Sequence, residues 1–404
     1  MSLRLRAAAA VGAAAGLASR ALGRGSGSVI SGWVTETLAP GTLAEVLARY
    51  RVALISGTNG KTTTNAFVAA ALRTAGPVVT NAKGANMPAG ILAALARTSG
   101  GGFAAIEVDE GYLPRLIEVG GPEAVALLNL SRDQLDRVAE VRKIAERWRD
   151  ALAGTSITVF ANADDPAVVF AARGARTVWI AAGSNWRVDA ASCPSCGARI
   201  HFDDASWRCT GCDLARPETS WELDETGAGV AGVSGHPRID LALPGRHNQH
   251  NALVALAVAL HLGADETAAI AAMARVDDVE GRYARPWPGS DARLYLSKNP
   301  AGWIEIINLV EVSPRDVLIA INANIADGKD TSWLWDVPFE RLAGKRAVAA
   351  GERCHDLAVR LRYADVDVET IESLPSALQA ARSRDLDVIA NYTAFRDVRR
   401  ELKQ

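Results

Sequence analysis

Several features that define other protein classes are scarce in this 404-residue sequence. Aromatic residues make up only 6% of the chain while alanine is abundant, which argues against an all-β sandwich and favours helices packed on a sheet. The formal net charge is only −2, so the chain lacks the basic excess of proteins that wrap nucleic acid. These absences point to small molecules and proteins as partners, and the length suffices for two or three domains.

Long apolar runs are missing as well. Arg4 and Arg6 precede an apolar run from Ala7 to Ala18, and this arrangement imitates a secretion signal. The run is too short and too rich in alanine to span a bilayer. Export is also unexpected, because an exported protein would have no access to a nucleotide such as ATP. We therefore expect a helical segment over residues 1–44, adjacent to the membrane or free of it, that is interrupted by GRGSGS at residues 23–28.

The stretch VALISGTNGKTTT, residues 52–64, predicts a strand, a phosphate loop and a helix. A helix N-terminus leaves backbone N–H groups unpaired and carries partial positive charge, so a tight loop that opens onto one suits phosphate. Lys61 adds a full charge, and the Thr62 hydroxyl suits a Mg²⁺ ion that bridges the phosphates. The sequence thus predicts an ATP site formed by Gly57, Thr58, Asn59, Gly60, Lys61, Thr62 and Thr63, with Lys61 also catalytic.

Acids and amides follow several of the predicted strands. Glu107, Asp109 and Glu110 come after FAAI, and we expect Glu107 to be a catalytic residue and a Mg²⁺ ligand because doubly wound sheets keep their sites at the carboxyl ends of the strands. The next two strands are followed by further polar side chains, namely Asn129, Asp133, Gln134, Asp136, Asn162, Asp164 and Asp165. Alternating strands and helices predict a parallel sheet covered by helices on both faces.

Only five cysteines are present, and four of them form the pairs CPSC and CTGC between residues 193 and 212. Two such turns supply four thiolates in the tetrahedral arrangement that Zn²⁺ favours. We therefore predict a closed structural zinc site at Cys193, Cys196, Cys209 and Cys212. A redox pair is the alternative.

The short loop GTNGKT resembles that of the Mur ligases and folylpolyglutamate synthetases, which are ATP-dependent amide ligases; the general phosphate loop would have glycine where this chain has Ile55. NLSRDQLDR is similar to another Mur ligase segment, although Gln134 replaces the usual histidine. The resemblance implies that Asn251, with Asn248 behind it, contacts the nucleotide base, and that Arg282 reaches the nucleotide. Ala284 stands where the family often has glutamate.

The chain as a whole resembles the MurT family, the Mur-ligase-like subunits of lipid II isoglutaminyl synthases. The resemblance is carried by the motifs above, the zinc motif, SKNPAG and ADGKDTSWLWD, which follow one another in the order typical of that family. This resemblance implies ATP-dependent amidation of the α-carboxylate of D-glutamate in the lipid II stem peptide. It also implies a GatD-like class I glutamine amidotransferase subunit as the source of ammonia. An aspartate would reach the partner's active site, and that role falls to Asp336 first, with Asp330 and Asp327 as alternatives.

The expected fold class is α/β. A Mur-ligase-like central ATP-binding domain at residues 45–285 would hold a Cys₄ zinc ribbon inserted at about residues 190–218, and a C-terminal Rossmann-like α/β domain would span residues 289–404. The expected location is cytoplasmic, with a peripheral position at the inner face of the membrane left open. Two rival functions are a free-standing amino-acid ligase of the folylpolyglutamate type and a non-catalytic ATP-binding scaffold.

Overall fold

The computed structural model describes residues 3–22, 27–81, 85–96, 98, 100–132, 140–181, 187–203, 206–223, 230–232, 239–277, 279 and 282–403. The chain divides into two compact units. The larger unit comprises residues 1–130, 141–242 and 247–276, and the smaller unit comprises residues 131–140, 243–246 and 277–404. Each unit has its own sheet and its own hydrophobic core.

The larger unit is built on a mainly parallel sheet. Its strands and those of a small separate hairpin are β1 (Arg51–Ser56), β2 (Val78–Thr80), β3 (Phe103–Glu107), β4 (Ala124–Leu127), β5 (Thr158–Asn162), β6 (Arg176–Ala181), β7 (Ile200–Phe202), β8 (Trp207–Cys209), β9 (Trp221–Leu223) and β10 (Val230–Gly232). Among the described residues the sheet order is β10-β9-β6-β5-β4-β1-β3-β2, and only β10 is antiparallel to its neighbour.

Helices connect these strands and cover the sheet. They are α1 (Leu3–Ala21), α2 (Ser28–Leu38), α3 (Thr42–Leu47), α4 (Lys61–Leu72), α5 (Pro88–Leu95), α6 (Leu113–Gly120), α7 (Glu140–Leu152), α8 (Pro166–Ala172), α9 (Arg246–His261) and α10 (Glu266–Met273). Within the described ranges, none of the helices combines the length and the hydropathy that a bilayer crossing requires.

The central strands explain where polar groups collect. β3, β4 and β5 are buried along their whole length, as expected of aliphatic runs in a sheet that is covered on both faces. The register pairs Ile55 with Glu107 and Ser56 with Leu127, so β1 ends between the carboxyl ends of β3 and β4. The loop that follows β1 therefore leaves the sheet at the edge where the polar ends of the neighbouring strands also lie.

The smaller unit has a second sheet. Its elements are β11 (Tyr283–Ala284), β12 (Leu294–Leu296), α11 (Pro300–Val310), β13 (Val317–Ala320), two 3₁₀ helices (Ser332–Asp336 and Phe339–Leu342), β14 (Arg346–Ala350), α12 (Cys354–Tyr363), β15 (Asp367–Thr370), α13 (Leu374–Arg384), β16 (Asp387–Ala390) and α14 (Tyr392–Glu401). The order is β11-β12-β16-β13-β14-β15, and only β11 is antiparallel to its neighbour in the described part of the chain. Two buried clusters fill this unit.

The predicted fold class is confirmed. The chain is an α/β protein with a central parallel sheet, a cysteine-bearing hairpin and a second α/β unit. The predicted polar residues Asp133, Gln134 and Asp136 of the NLSRDQLDR segment lie outside the described residues.

Candidate nucleotide site and cysteine cluster

The predicted phosphate loop forms the connection between β1 and α4. Gly57 and Gly60 have φ angles of 144° and 86°, which L side chains rarely adopt. A Cβ atom at Gly57 would lie 2.9 Å from Leu128 Cβ, and one at Gly60 would lie 2.6 Å from Asn251 Oδ1. Both glycines are therefore required by backbone conformation and by the closeness of neighbouring groups.

Asn129, which follows β4, fixes the shape of this loop. Its side-chain oxygen accepts a hydrogen bond of 2.9 Å from Asn59 N–H, and its amide nitrogen donates one of 3.0 Å to Asn59 O. Its backbone oxygen accepts from Thr58 N–H at 2.9 Å. The loop conformation is thus held from outside by a neighbouring strand end, which leaves less conformational entropy to lose when a ligand binds.

Lys61 is the first residue of α4 and is buried. Its ammonium donates hydrogen bonds to Gly57 O and, at 3.1 Å, to Thr58 O, and it forms an ion pair of 3.1 Å with Glu110 Oε2. A buried ammonium requires such partners because desolvation of an unpaired charge is costly. The charge predicted for phosphate binding is accordingly held at the loop, beside the N-terminus of a 12-residue helix.

Thr62 and Glu107, the predicted Mg²⁺ ligands, are in direct contact. Thr62 Oγ1 donates a hydrogen bond of 2.9 Å to Glu107 Oε2. Asn81 holds the backbone of Glu107 in two directions, accepting from Glu107 N–H at 2.9 Å and donating to Glu107 O at 2.7 Å. Hydroxyl and carboxylate oxygens are the hard donors that Mg²⁺ prefers, so this pair fits a magnesium ion.

The other predicted residues of the ATP site fall in two places. Thr58 and Thr63 are buried, and Asn59 is held by Asn129 as described. Asn251 lies on the first turns of α9, where its amide donates 3.4 Å to Asn248 Oδ1 and its carbonyl oxygen faces Gly60. Helix α9 therefore brings the residue predicted to bind the base to the phosphate loop.

Arg282 belongs to the smaller unit. It precedes β11, donates its backbone N–H to Val279 O at 2.9 Å, and accepts at its own backbone oxygen from Leu296 N–H at 3.0 Å. Its predicted role toward the nucleotide stays a prediction.

The four clustered cysteines come together as predicted. Their sulfur atoms all lie within 4.8 Å of one another, with 3.7 Å between Cys193 and Cys212 and 3.4 Å between Cys196 and Cys209. Four thiolates about 2.3 Å from a shared Zn²⁺ ion would be spaced in this way, so the cluster could hold a metal ion. Gly211 N–H, which donates to Cys209 Sγ at 3.3 Å, lowers the pKa of that thiol to about 7.

The hairpin of β7 and β8 that carries the cysteines is fastened to the larger sheet. Trp207 is buried and its indole N–H donates 3.0 Å to Ala163 O, just after β5. Arg216 donates 2.8 Å to Asp164 Oδ1 from the chain that follows the hairpin. One of the polar residues at the end of β5, Asp164, therefore has a structural partner in the cysteine-bearing segment.

Asp165, the third polar residue of that strand end, caps α8. Its carboxylate accepts from Ala167 N–H, Val168 N–H and Leu130 N–H at 2.8–3.1 Å. Burial raises the pKa of Asp165 to about 6, and these three backbone hydrogen bonds oppose the rise. The residue thus serves the fold of the region beside the phosphate loop.

The three aspartates that were considered for contact with the active site of a partner subunit differ in their surroundings. Asp327 is buried and accepts from Thr393 N–H at 2.8 Å and from Asn324 N–H at 3.2 Å. Asp330 is exposed and accepts from Ser332 N–H at 2.8 Å, which lowers its pKa. Asp336 ends the 3₁₀ helix, is exposed, and has a carboxylate oxygen 3.8 Å from Arg132 Nη2.

Arg360 organises the turn that carries Asp336. Its guanidinium is buried and donates to Leu334 O at 3.2 Å and to Val337 O at 2.7 Å. It also lies over the rings of Trp335 and Phe339, with its central carbon 5.3 and 5.5 Å from the ring centroids. The turn is therefore held on both sides of Asp336 by one side chain of α12.

Sequence analysis missed several of these supporting residues. The sequence predicts no individual role for Asn81, Glu110 or Arg360, and it places Asn129 at a strand end without a partner. Asn81 follows β2 at the carboxyl edge of the sheet, which is a signal that could have identified it. Arg360 lies in the middle of a helix and has no such signal.

Comparisons with known proteins identify the family to which the chain is similar. Residues 55–259 match the family model of the Mur ligase middle domain, and residues 296–395 match the family model of the MurT ligase C-terminal region. The MurT subunit of lipid II isoglutaminyl synthase from Streptococcus pneumoniae R6 is 28% identical over 93% of this chain and 92% of its own length. The Staphylococcus aureus N315 protein of the same name is 28% identical over 96% and 95%.

Solved structures show the same fold at lower identity. A pseudomurein peptide ligase type C from Methanothermus fervidus has a TM-score of 0.65 at 19% identity, covering 88% of this chain and 78% of its own. MurF from Acinetobacter baumannii has a TM-score of 0.64 at 15% identity, covering 92% and 80%.

Proposed function

Because this chain belongs to the Mur ligase family, we propose that it is the ligase subunit of a lipid II isoglutaminyl synthase. In this role it amidates the α-carboxylate of D-glutamate in the stem peptide of lipid II, a precursor of peptidoglycan. The match of residues 296–395 to the MurT C-terminal region separates this proposal from the rival of a free-standing amino-acid ligase.

ATP and Mg²⁺ fit the residues at the carboxyl edge of the larger sheet. The phosphates would meet the backbone N–H groups of the loop from Gly57 to Gly60 and the ammonium of Lys61. Thr62 and Glu107 would hold the magnesium ion, which offsets the negative charge of the phosphates. Asn251 lies at the same loop and is proposed to bind the base. Arg282 is proposed to add a second positive charge near the phosphates.

The reaction has two balanced steps. An oxygen of the α-carboxylate attacks the γ-phosphorus of ATP, the bond to ADP breaks, and an acyl phosphate forms. The nitrogen of ammonia then attacks the acyl carbon, inorganic phosphate leaves, and the nitrogen loses a proton to give the amide. Lys61 is proposed to offset the charge that develops on the transferring group, which is the main catalytic contribution in phosphoryl transfer.

Ammonia requires a partner, because free ammonia is mostly ammonium at neutral pH. Cys354 is a poor nucleophile: it is buried at the start of α12, and burial raises the pKa of its thiol. A class I glutaminase subunit is therefore proposed to supply the nitrogen. Asp336 is the preferred residue for contact with its active site, since Asp327 is buried in its own hydrogen-bond network.

The metal of the cysteine cluster is proposed to be zinc. Four thiolates leave no coordination position for water, so the ion would stabilise the hairpin and take no part in the reaction. The enzyme is proposed to work on the cytoplasmic side of the membrane, where ATP is present.

The observation that carries the proposal is the contact of Thr62 with Glu107 beside a buried Lys61 at a glycine loop. The test is co-expression with a class I glutaminase, addition of lipid II, ATP and glutamine, and mass spectrometry of the lipid. We expect the mass decrease that accompanies conversion of an acid to an amide. Lys61→Met should abolish the product, and Lys403→Met, at an exposed lysine, should leave it unchanged.

Two outcomes would overturn the assignment. One is the absence of amide when both subunits are folded and ATP binds. The other is the attachment of an amino acid in place of ammonia, which would indicate the free-standing ligase.

A further inference from the structure

The first part of the chain has an unusual charge pattern. Residues 1–35 contain four arginines, at positions 4, 6, 20 and 24, and neither lysine nor acid, and the first acidic residue is Glu36. The whole chain is nearly balanced, with 44 basic and 46 acidic residues. Because acidic residues are missing, the side chains of this segment, which includes α1 and most of α2, carry a net positive charge, whereas those of the whole chain carry a net charge of −2.

The same segment exposes apolar side chains. Of the 16 large hydrophobic residues that are exposed in the described part of the chain, seven lie between residues 11 and 38: Val11, Leu17, Leu22, Val29, Ile30, Trp33 and Leu38. Leu17 is 59% exposed and Trp33 is 64% exposed. Scattered exposed hydrophobic residues are normal, whereas a concentration of them marks an interaction surface.

Helices α1 and α2 form a closely packed hairpin, so these side chains are displayed on a defined structure. A Cβ atom at Gly12 would overlap Thr35 Oγ1, and one at Gly16 would lie 2.7 Å from Gly27 O. The contact uses the buried side of α1, which includes Leu5 and Ala8. The outward side of α1 from Ala7 to Ala18 consequently presents alanine, valine and leucine, with Arg4, Arg6 and Arg20 near its ends.

The hairpin is anchored to the rest of the larger unit. Gly32 of α2 approaches the backbone of Ala89 in α5 so closely that any side chain there would overlap it. Glu36 forms an ion pair of 3.8 Å with Arg115. The hairpin therefore belongs to the same compact unit as the phosphate loop.

We propose that the α1–α2 hairpin docks on the surface of an anionic lipid bilayer. Arginine side chains bind lipid phosphates, tryptophan favours the boundary between headgroups and acyl chains, and leucine and valine enter the outer acyl region. The absence of acidic residues before Glu36 matches an anionic surface, whereas protein interfaces mix charges of both signs. The docking is peripheral, and its link to amidation of a lipid-borne substrate rests on the proposed function.

The test uses the full-length chain and vesicle flotation, with vesicles of phosphatidylcholine alone or with phosphatidylglycerol. We expect binding to the anionic vesicles, weak binding to the neutral ones, and a decrease in high salt. Replacing Arg4, Arg6 and Arg20 with serine should weaken binding on the order of 100-fold, and Trp33→Ser on the order of tenfold.

Matched control variants replace exposed arginines and an exposed apolar residue elsewhere in the chain. Serine at the exposed Arg142, Arg285 and Arg400 makes the same change in net charge, and Ile325→Ser removes an exposed apolar side chain of the smaller unit. Both controls should bind as the wild type does. Circular dichroism checks that the hairpin variants remain folded.

Several results would overturn the proposal. These are equal binding to neutral and anionic vesicles, no binding to either, or equal losses in the controls. A change of oligomeric state in the hairpin variants, measured by sedimentation, would identify the hairpin as a contact between protein chains. Activity distinguishes this inference from the proposed function, because the arginine variant should amidate a water-soluble, short-chain substrate normally and lipid II in anionic vesicles poorly.

Discussion

Thr62 Oγ1 lies 2.9 Å from Glu107 Oε2, so the second residue of α4 and the last residue of β3 meet beside the phosphate loop. These residues are 45 positions apart in the chain. The sheet register, which places Glu107 opposite Ile55, brings them together. The contact is the basis for assigning both side chains to one magnesium ion.

Glu107→Gln should raise the magnesium concentration required for activity and lower the maximal rate by about 100-fold or more, because an amide carries no charge to hold the metal. The measurement is ATP-dependent amide formation across a magnesium titration. Asp109→Asn is the matched control, since Asp109 accepts a hydrogen bond of 3.0 Å from Gly111 N–H and is assigned no metal. If the two variants had equal effects, the assignment of Glu107 as a magnesium ligand would be wrong.

Gly60→Ala should weaken ATP binding by tenfold or more, since its Cβ would lie 2.6 Å from Asn251 Oδ1 and displace the loop or α9. Gly41→Ala is a close control, because Gly41 has a φ of 84° and its Cβ would meet nothing within 4 Å. Both variants should lose about 1 kcal/mol of stability from the left-handed backbone. Calorimetric titration with ATP distinguishes the two variants, because only Gly60→Ala should bind ATP more weakly. An unchanged affinity of Gly60→Ala for ATP would contradict the assignment of this loop as the phosphate site.

Removing the metal should loosen the cysteine hairpin. We expect the purified protein to carry one zinc ion per chain, and Cys196→Ser to lose it and to unfold at a temperature several degrees lower. Cys354→Ser, at the cysteine outside the cluster, should keep the metal. Elemental analysis and thermal unfolding provide the readouts. A fully loaded Cys196→Ser protein would show that the cluster is not the metal site.

Asp165 should impose a pH dependence on stability. Its folded pKa of about 6 lies above its ordinary value of 3.8, so the folded state binds the proton more tightly and this contribution to stability falls as pH rises from about 4 to about 6. Asp165→Asn should remove that slope from the free energy of unfolding, measured by denaturant titration at several pH values. Asp265→Asn, at the exposed N-cap of α10, is the control, since it makes the same exchange of carboxylate for amide at a helix cap that is not buried. An unchanged slope in Asp165→Asn would contradict the raised pKa.

Arg360→Lys should lower glutamine-dependent amidation more than amidation supplied with ammonium. Lysine cannot reproduce the two-sided hydrogen bonding to Leu334 O and Val337 O, so the turn that carries Asp336 would shift. Arg353→Lys, in an exposed ion pair with Asp356, should leave both activities unchanged. Equal losses with both nitrogen sources would indicate a general loss of fold.

Some parts of the site could be predicted from the sequence because their structure is local. The glycine loop, the N-terminus of α4 and the two CxxC turns each lie within a few residues, so residue types and spacing predict them directly. The end of β3 could also be located, because the buried run FAAI stops at Glu107.

Other parts depend on contacts between distant segments. Asn129 is 70 positions from Asn59, and Glu110 is 49 positions from Lys61, yet each pair is in hydrogen-bond contact. No spacing rule links such residues, because the sheet register and the helix crossings decide which strand ends meet. The exposed side chains of the α1–α2 hairpin likewise could not be told from buried ones before the glycines of the hairpin were placed.

The amino-acid sequence by itself determined the α/β class, the phosphate loop and the thiolate set, since each follows from local periodicity or from ligand chemistry at short range. Only the tertiary structure decided that Asn81 and Asn129 hold the loop and the acid, that Arg360 holds the turn of Asp336, and that apolar side chains of residues 11–38 face solvent. The reason is that hydrogen bonding and burial depend on which surfaces pack together, and packing joins residues without regard to their distance along the chain.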